Sequence, residues 1–300
     1  MQQKVLITGA SGFLGQSILK VLKAEKKFKV RGISHKAFDL TDLNRAKAAL
    51  RNVDIVIHTA GLVLSRIEQM QRPGEVFYQN VAAALNIAEA ARLNGVKKLI
   101  FISSITAYPS GKLPLKEEDL WKGPPQGNMP YGYAKRITDV IAASYAQQYG
   151  IKTACVIFPN LYGPKDKFNF NPPPLVPSAI KQVHKAKKHN AKSLVAGNNG
   201  HHPVDLLYVD DAAKSLQLML KKPNMPALIN IGTGKSVKIS KVFELVAKIL
   251  NFKGKIIWQK GMKVSKRALN VSLMKKELHW APKVSLQAGV EESVKNYLKK

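Results

Sequence analysis

The stretch Lys4-Val5-Leu6-Ile7-Thr8-Gly9-Ala10-Ser11-Gly12-Phe13-Leu14-Gly15 decides the fold. A short aliphatic run passes directly into three evenly spaced glycines, and Phe13, Leu14, Ile18 and Leu22 then recur at helical spacing. A strand, a tight turn and a helix are therefore predicted in immediate succession. Free N–H groups and the dipole at a helix N-terminus attract phosphate, and glycines let the backbone approach it closely. In that setting Gly9, Ser11, Gly12, Phe13, Leu14 and Gly15 read as a dinucleotide-binding turn. Taken alone, the same string also describes an ordinary strand-turn-helix corner.

Working outward, strands are predicted at residues 29–34, 54–58, 98–102 and 153–158, with amphipathic helices between them, such as the one carrying Val81, Leu85, Ile87, Ala88 and Ala91. This alternation predicts an α/β fold with a Rossmann-like, doubly wound parallel sheet. Residues 165–177, after Gly163-Pro164, are rich in Pro, Asn and Phe and read as a loop, with Pro172-Pro173-Pro174 opposing a helix. The domain boundary is placed there. Residues 1–164 form the expected NAD(P)-binding domain, to which about 203–236 return, through a strand or turn at 206–209 entering a helix capped by Asp210-Asp211, and a strand at 227–231. Residues 165–202 and 237–300 are assigned to a smaller C-terminal α/β substrate-binding domain, with helical patterns at 241–250 and 290–298.

Bulk properties narrow the partners. With 300 residues and 45% apolar side chains the chain can bury a substantial core. Its first residues lead straight into a strand, and no apolar run reaches the ~18 residues of a membrane span, so a soluble, cytoplasmic protein is expected. The one cysteine, Cys155, lies in an apolar run and reads as a small core residue, and no metal site is expected. A net charge of +29 draws anionic partners, whether a diphosphate-bearing substrate, nucleic acid or acidic lipid. The densest basic stretch, residues 181–192, continues from Ile180 with Val183 and Ala186 inside it and reads as an amphipathic helix with a solvated basic face. No nucleic-acid motif accompanies the charge, so neither nucleic acid nor membrane is an expected partner.

The second strand ends in Ile33-Ser34-His35-Lys36, with no acid to bind a ribose 2′-hydroxyl. His35 and Lys36 suit a 2′-phosphate, which favours NADP over NAD; exposed loop bases are the alternative. Tyr131 and Lys135 stand four residues apart, on one face of the helix predicted after Pro130. A phenol with an ordinary pKa near 10 becomes an acid/base at neutral pH when a cation stabilises its anion, and Lys135 supplies one. Tyr133 meets Ile137 at the same offset, and Tyr108 and Lys112 are separated by Pro109-Ser110-Gly111, which breaks a helix.

These features, together with Asp39-Leu40-Thr41-Asp42, Ile57-His58-Thr59-Ala60, Asn80, Phe101-Ile102-Ser103-Ser104, Asn160-Leu161-Tyr162-Gly163-Pro164, Tyr208-Val209-Asp210-Asp211, Asn230-Ile231-Gly232-Thr233-Gly234 and Leu278-His279-Trp280-Ala281-Pro282, resemble the extended short-chain dehydrogenases, the NAD-dependent epimerase/dehydratase family. The resemblance spans nearly the whole chain. It implies that Tyr131 is the acid/base, that Lys135 binds the nicotinamide ribose and lowers the tyrosine pKa, and that Ser104, rather than Ser103, holds the reacting oxygen. It further places Asp39 and Leu40 beside the adenine, Ala60, Asn80 and Pro159 around the cofactor, Thr106 and Asn160 near the substrate, and Arg267 on the substrate diphosphate.

The implied activity is that of a nucleotide-sugar epimerase or 4-ketoreductase acting at sugar C4, with a nucleoside-diphosphate sugar as substrate and a homodimer built on the helices around residues 82–92 and 133–147. The run from Pro159 to Phe168 is most similar to the GDP-fucose synthase branch. That branch has a cysteine where this chain has Thr106, a histidine where it has Pro174, and an arginine where it has Val204, so its reductase half is expected here and its epimerisation is not. Two other readings stay open: an NADPH-dependent reductase of a hydrophobic ketone or lactone, and a non-catalytic cofactor-sensing or nucleic-acid-binding protein.

Overall fold

A computed structural model describes residues 2–35, 37–197, 200–259 and 268–299. The strands are β1 (Gln3–Thr8), β2 (Phe28–Ile33), β3 (Ile55–His58), β4 (Lys98–Ser104), β5 (Lys152–Phe158), β6 (Asn160–Tyr162), β7 (Ser193–Ala196), β8 (Pro203–Tyr208), β9 (Leu228–Asn230), β10 (Ser236–Lys238) and β11 (Lys255–Trp258). The helices are α1 (Phe13–Lys23), α2 (Leu43–Ala49), α3 (Arg66–Gln71), α4 (Pro73–Leu93), α5 (Pro130–Tyr149), α6 (Leu175–Lys188), α7 (Val209–Lys221), α8 (Ile239–Ile249), α9 (Ser272–Leu278) and α10 (Leu286–Leu298).

A parallel sheet of order β2-β1-β3-β4-β5-β9 forms the centre. Its inner strands are buried on both faces, which is why β3 reads Ile-Val-Ile-His and β5 reads Thr-Ala-Cys-Val-Ile-Phe after Lys152 without polar alternation. Ile18 and Leu22 of α1, Leu216 of α7 and Met274 of α9 pack with Val5, Ile7 and Ile57 on one face. Ala46 of α2, Ile87 of α4 and Ile141 of α5 pack with Leu6, Val56 and Leu99 on the other. The chain leaves β1 for β2 on one side and returns to β3 on the other, so the crevice at the carboxyl ends of β1 and β3 is a topological switch point, the usual ligand position in such sheets.

A second core gathers Val176, Ile180 and Val183 of α6, Val242 and Val246 of α8, and Val290 and Val294 of α10 over the sheet β10-β8-β6 and the pair β11-β7. Three details differ from the sequence-based expectation. Helix α6 starts at Leu175, inside the predicted loop; Pro177 is accommodated because it lies in the first turn, where its missing N–H has no helical partner anyway. Strand β8 joins β6 and β10 instead of the central sheet, while β9 completes the central sheet. Helix α7 has Tyr208 at its N-cap with no side-chain cap; Asp210 and Asp211 lie in the first turn, and Asp211 Oδ2 instead accepts the backbone N–H groups of Lys283 and Val284. The basic stretch does form a solvated helix face, with Lys181, Lys185, Lys187 and Lys188 exposed. No helix among the described residues is long and apolar enough to cross a membrane.

Candidate active site

The turn after β1 is shaped by what its glycines leave out. Gly9 has φ +67°, in the left-handed region, and a Cβ there would lie 2.8 Å from the Ala60 backbone. A Cβ on Gly15, within α1, would lie 2.2 Å from the Gly9 carbonyl oxygen and 2.8 Å from Ala10 Cα. Helix α1 therefore sits hard against the end of β1. Its N-cap, Gly12, is extended and offers no side chain to the first-turn N–H groups. That cradle fits the diphosphate of a dinucleotide.

From this turn a cavity of about 640 Å³ runs in both directions. At one end it is lined by Ser34, His35, Phe38, Asp39 and Leu40. Asp39 Oδ1 accepts hydrogen bonds from Thr41 N (3.0 Å) and Thr41 Oγ1 (2.7 Å), which hold its carboxyl below the usual aspartate range. Lys36 and Arg267 lie outside the described residues. At the other end the lining includes Ser104, Tyr131, Lys135, Phe158, Pro159, Leu161 and Lys167.

Strand β4 delivers the two serines in opposite directions. Both line the cavity, but Ser103 Oγ turns inward and donates to the Lys135 carbonyl at 2.7 Å, whereas Ser104 Oγ accepts from Thr106 N at 3.2 Å. Helix α5 delivers Tyr131 and Lys135 from one face, with Lys135 Nζ 5.7 Å from the Tyr131 ring centroid and donating to the Ile102 carbonyl at 3.1 Å. Gly132 lets the helix approach: a Cβ there would lie 2.6 Å from the Thr106 carbonyl oxygen. Burial lowers the Lys135 ammonium to about 8, with the nearby charge of Lys167 acting in the same direction. Burial also pushes the Tyr131 phenol up to about 12. Burial thus favours the neutral phenol, while one donor of the Lys135 ammonium is engaged by the Ile102 carbonyl.

Thr106, Asn80 and Asn160 are not among the cavity-lining residues. Thr106 Oγ1 is enclosed without a hydrogen-bond partner, and Asn160 Nδ2 donates to the Asp205 carbonyl at 3.2 Å. Asn80 lies behind the wall. Its Nδ2 donates to the Leu62 and Val76 carbonyls, while Oδ1 is buried without a partner beside Gly61, where a Cβ would lie 2.5 Å from that oxygen and 3.4 Å from Lys135 Nζ. Gly61, Phe38, Gln79 and Lys167 were not singled out by sequence reasoning. Gly61 directly follows Ala60, but nothing in the string signals its squeeze between Asn80 and Lys135. Behind Lys135, His58 is buried with Nδ1 2.9 Å from Thr8 Oγ1, and burial, with the Lys135 charge, lowers it to about 3.

A profile of the NAD dependent epimerase/dehydratase family matches residues 5–232, from β1 past the last strand of the central sheet. The chain belongs to that family. It is accordingly an enzyme of the epimerase/oxidoreductase kind. The GDP-L-fucose synthase of Sinorhizobium fredii is 29% identical over 301 residues, covering 99% of this chain and 96% of the relative. That of Escherichia coli is also 29% identical, over 99% of this chain and 97% of its own length. Among solved structures, a GDP-L-fucose synthetase from Naegleria fowleri bound to NADP superposes with a TM-score of 0.91 at 25% identity, covering 99% of this chain and 93% of that one.

Proposed function

We propose that this enzyme is an NADPH-dependent reductase of a nucleoside-diphosphate 4-keto sugar. The observation that carries the reading is that Ser104, Tyr131 and Lys135 face one end of a cavity whose middle is a glycine cradle fitted to a diphosphate. The absence of an acid directly after β2, where Ser34 and His35 stand at the cavity wall, supports NADPH over NADH. Similarity to the fucose synthases, and an NADP-bound neighbour, support the same assignment.

Gly9, Ser11, Gly12, Phe13, Leu14 and Gly15 would hold the dinucleotide diphosphate, Asp39 and Leu40 the adenine end, Ala60 and Pro159 the wall near the nicotinamide, and Asn80 the loop bearing Gly61. Bound there, the cofactor supplies the hydride. Tyr131 hands its proton to the sugar carbonyl oxygen as that oxygen takes on charge, giving the alcohol, and Ser104 donates a second hydrogen bond to the same oxygen. Lys135, anchored on the Ile102 carbonyl, stabilises the tyrosinate left behind. Burial, which favours the neutral phenol, suits the reducing direction, in which the group must start protonated.

Reduction without ring epimerisation is supported by the resemblance alone, which sets Thr106 and Pro174, neither a ready acid/base, where the fucose synthases carry a cysteine and a histidine. The test is turnover of nucleotide-linked 4-keto sugars with NADPH in deuterated water. The expected product carries no solvent deuterium on carbon; deuterium beside the former carbonyl would establish an epimerase-reductase, and no consumption of NADPH with any nucleotide 4-keto sugar would remove the reading. The outer faces of α4 and α5 expose Tyr78, Leu85 and Val140, at 60%, 43% and 48%, which supports a homodimer across these helices. Light scattering on Leu85→Glu, expected to be monomeric, tests it.

A further inference from the structure

The cavity holds a cation that the mechanism above does not use. Lys167 lines the same end as Ser104, Tyr131 and Lys135, on the loop between β6 and α6. Its backbone N–H donates to Asp166 Oδ1 at 2.7 Å, fixing the loop, while its Nζ lies 4.5 Å from the centroid of the Phe170 ring. Among the described residues no carboxylate lies within ion-pair distance of this ammonium, whereas the exposed Lys20 and Lys122 and the half-buried Lys222 each have one. The Asp166 carboxyl, next in sequence, is itself buried, with Oδ2 lacking a partner. Asp166 is absent from the cavity wall; its carboxyl attracts the ammonium from behind, and burial weakens that carboxylate's charge, so the offset is partial and lies away from the surface a ligand meets.

Partly burying an ammonium costs free energy unless something repays it. The aromatic face of Phe170 repays part, by cation–π attraction. Two ammonium groups, Lys135 and Lys167, also share this end of the cavity, close enough for the charge of the second to act on the first. Lys135 is turned to the Ile102 carbonyl, so its hydrogen-bonding capacity is partly committed. Among the described residues Lys167 Nζ donates to no acceptor, and Lys167 lines the end of the cavity that Ser104, Tyr131 and Lys135 also line.

We propose that Lys167 is a specificity-determining residue that binds an acidic substituent of the sugar, a carboxylate close to the reacting carbon, and so selects acidic over neutral sugars. The inference rests on the nucleotide-sugar reading above for the handle of the substrate but not for the sugar end itself. A carboxylate here would accept charge-assisted hydrogen bonds from Nζ in a site partly shielded from water, where such bonds are strongest.

The test compares wild type, Lys167→Met and Lys167→Arg, each with NADPH present. Titrations use UDP-glucuronate against UDP-glucose, free UDP, and free glucuronate against glucose followed by ligand NMR. The expected result is that wild type prefers the uronate of each pair and that Lys167→Met loses about tenfold or more of that preference, the size of a hydrogen bond to a charged group. NADPH and free UDP should bind all three proteins alike, and Lys167→Arg should restore part of the preference. Equal loss of uronate and neutral sugar, weakened NADPH binding, or weakened free UDP binding would each overturn the proposal, because the cation would then serve the fold, the cofactor or the diphosphate. A preference for free glucuronate that depends on Lys167, in a protein that binds none of GDP, UDP, dTDP and CDP, would leave this inference standing and remove the nucleotide-sugar reading instead.

Discussion

Replacing Gly15 by alanine separates two opposing effects of the same methyl group. Within a helix, alanine gains about 0.8–1.0 kcal/mol over glycine from intrinsic propensity. At Gly74, in the first turn of α4, a Cβ meets nothing within 4 Å, so Gly74→Ala should realise much of that gain, about 0.5–1 kcal/mol. At Gly15 the new Cβ would lie 2.2 Å from the Gly9 carbonyl oxygen, 2.8 Å from Ala10 Cα and 2.9 Å from the Gly9 carbonyl carbon. All three are backbone atoms, so no side chain can rotate away; the turn must open.

Overpacking of that kind costs about 1–3 kcal/mol, enough to cancel the propensity gain and leave a net loss of up to about 2 kcal/mol. Because opening moves the Gly9 carbonyl and the first N–H groups of α1, NADPH affinity should also fall by about tenfold or more, ~1.4 kcal/mol. The assay is paired: melting temperature, in which 1 kcal/mol is worth roughly 2 °C in a chain of this size, and fluorescence titration with NADPH. The expected pattern is a raised midpoint and unchanged NADPH binding for Gly74→Ala, against a lowered midpoint and weakened binding for Gly15→Ala. A Gly15→Ala protein as stable as wild type with full NADPH affinity would refute the close packing of α1 on β1 as the reason for that glycine.

Tyr131→Phe should lower kcat for reduction by about 10²–10⁴-fold while leaving the NADPH Kd within about twofold, since it removes the proton donor and little of the cofactor wall; stopped-flow and binding titrations check the split. Lys135, lowered to about 8 by burial, is charged below that pH and loses its charge above it, so kcat for reduction should decline as pH rises through about 8. In Lys135→Arg the decline should move well above pH 9, and an unmoved limb would assign it to another group. His58 has a folded value of about 3 against an ordinary 6.5, so its contribution to stability is present above pH 6.5 and is lost as pH falls toward 3, with a slope of up to about 1.4 kcal/mol per pH unit. Asp166 and Asp205, raised to about 6 by burial, slope the opposite way between about 4 and 6, so the diagnostic is the difference between wild type and His58→Gln in melting temperature from pH 7 to 4. A difference independent of pH would mean that His58 is not held neutral.

The central sheet was legible because its inner strands are buried on both faces and so appear as unbroken apolar runs, each bounded by a helix whose apolar stripe has a clear period. Ser104 and the Tyr131–Lys135 pair were legible because one lies at a strand end and the others at i and i+4 of one helix, local facts that tertiary packing preserved. What was not legible depended on long-range contact. Strand β8 is as apolar as a central strand in Leu206, Leu207 and Tyr208, and only its pairing with β6 and β10 places it in the smaller sheet. Gly61 and Lys167 become part of the site because segments far apart in sequence converge there, and no spacing within either segment announces it. Burial, which pushes the Tyr131 phenol up and the Lys135 ammonium down, is likewise set by the surrounding packing and has no signature in the i, i+4 spacing.

The most direct test of the account is calorimetry of GDP, UDP, dTDP and CDP binding to the NADPH-saturated enzyme. Tight binding of NADPH, followed by base-selective binding of one nucleoside diphosphate, is the predicted result. Good binding of NADPH with no binding of any nucleotide would contradict the nucleotide-sugar assignment and transfer the Tyr131 site to a ketone with no nucleotide attached.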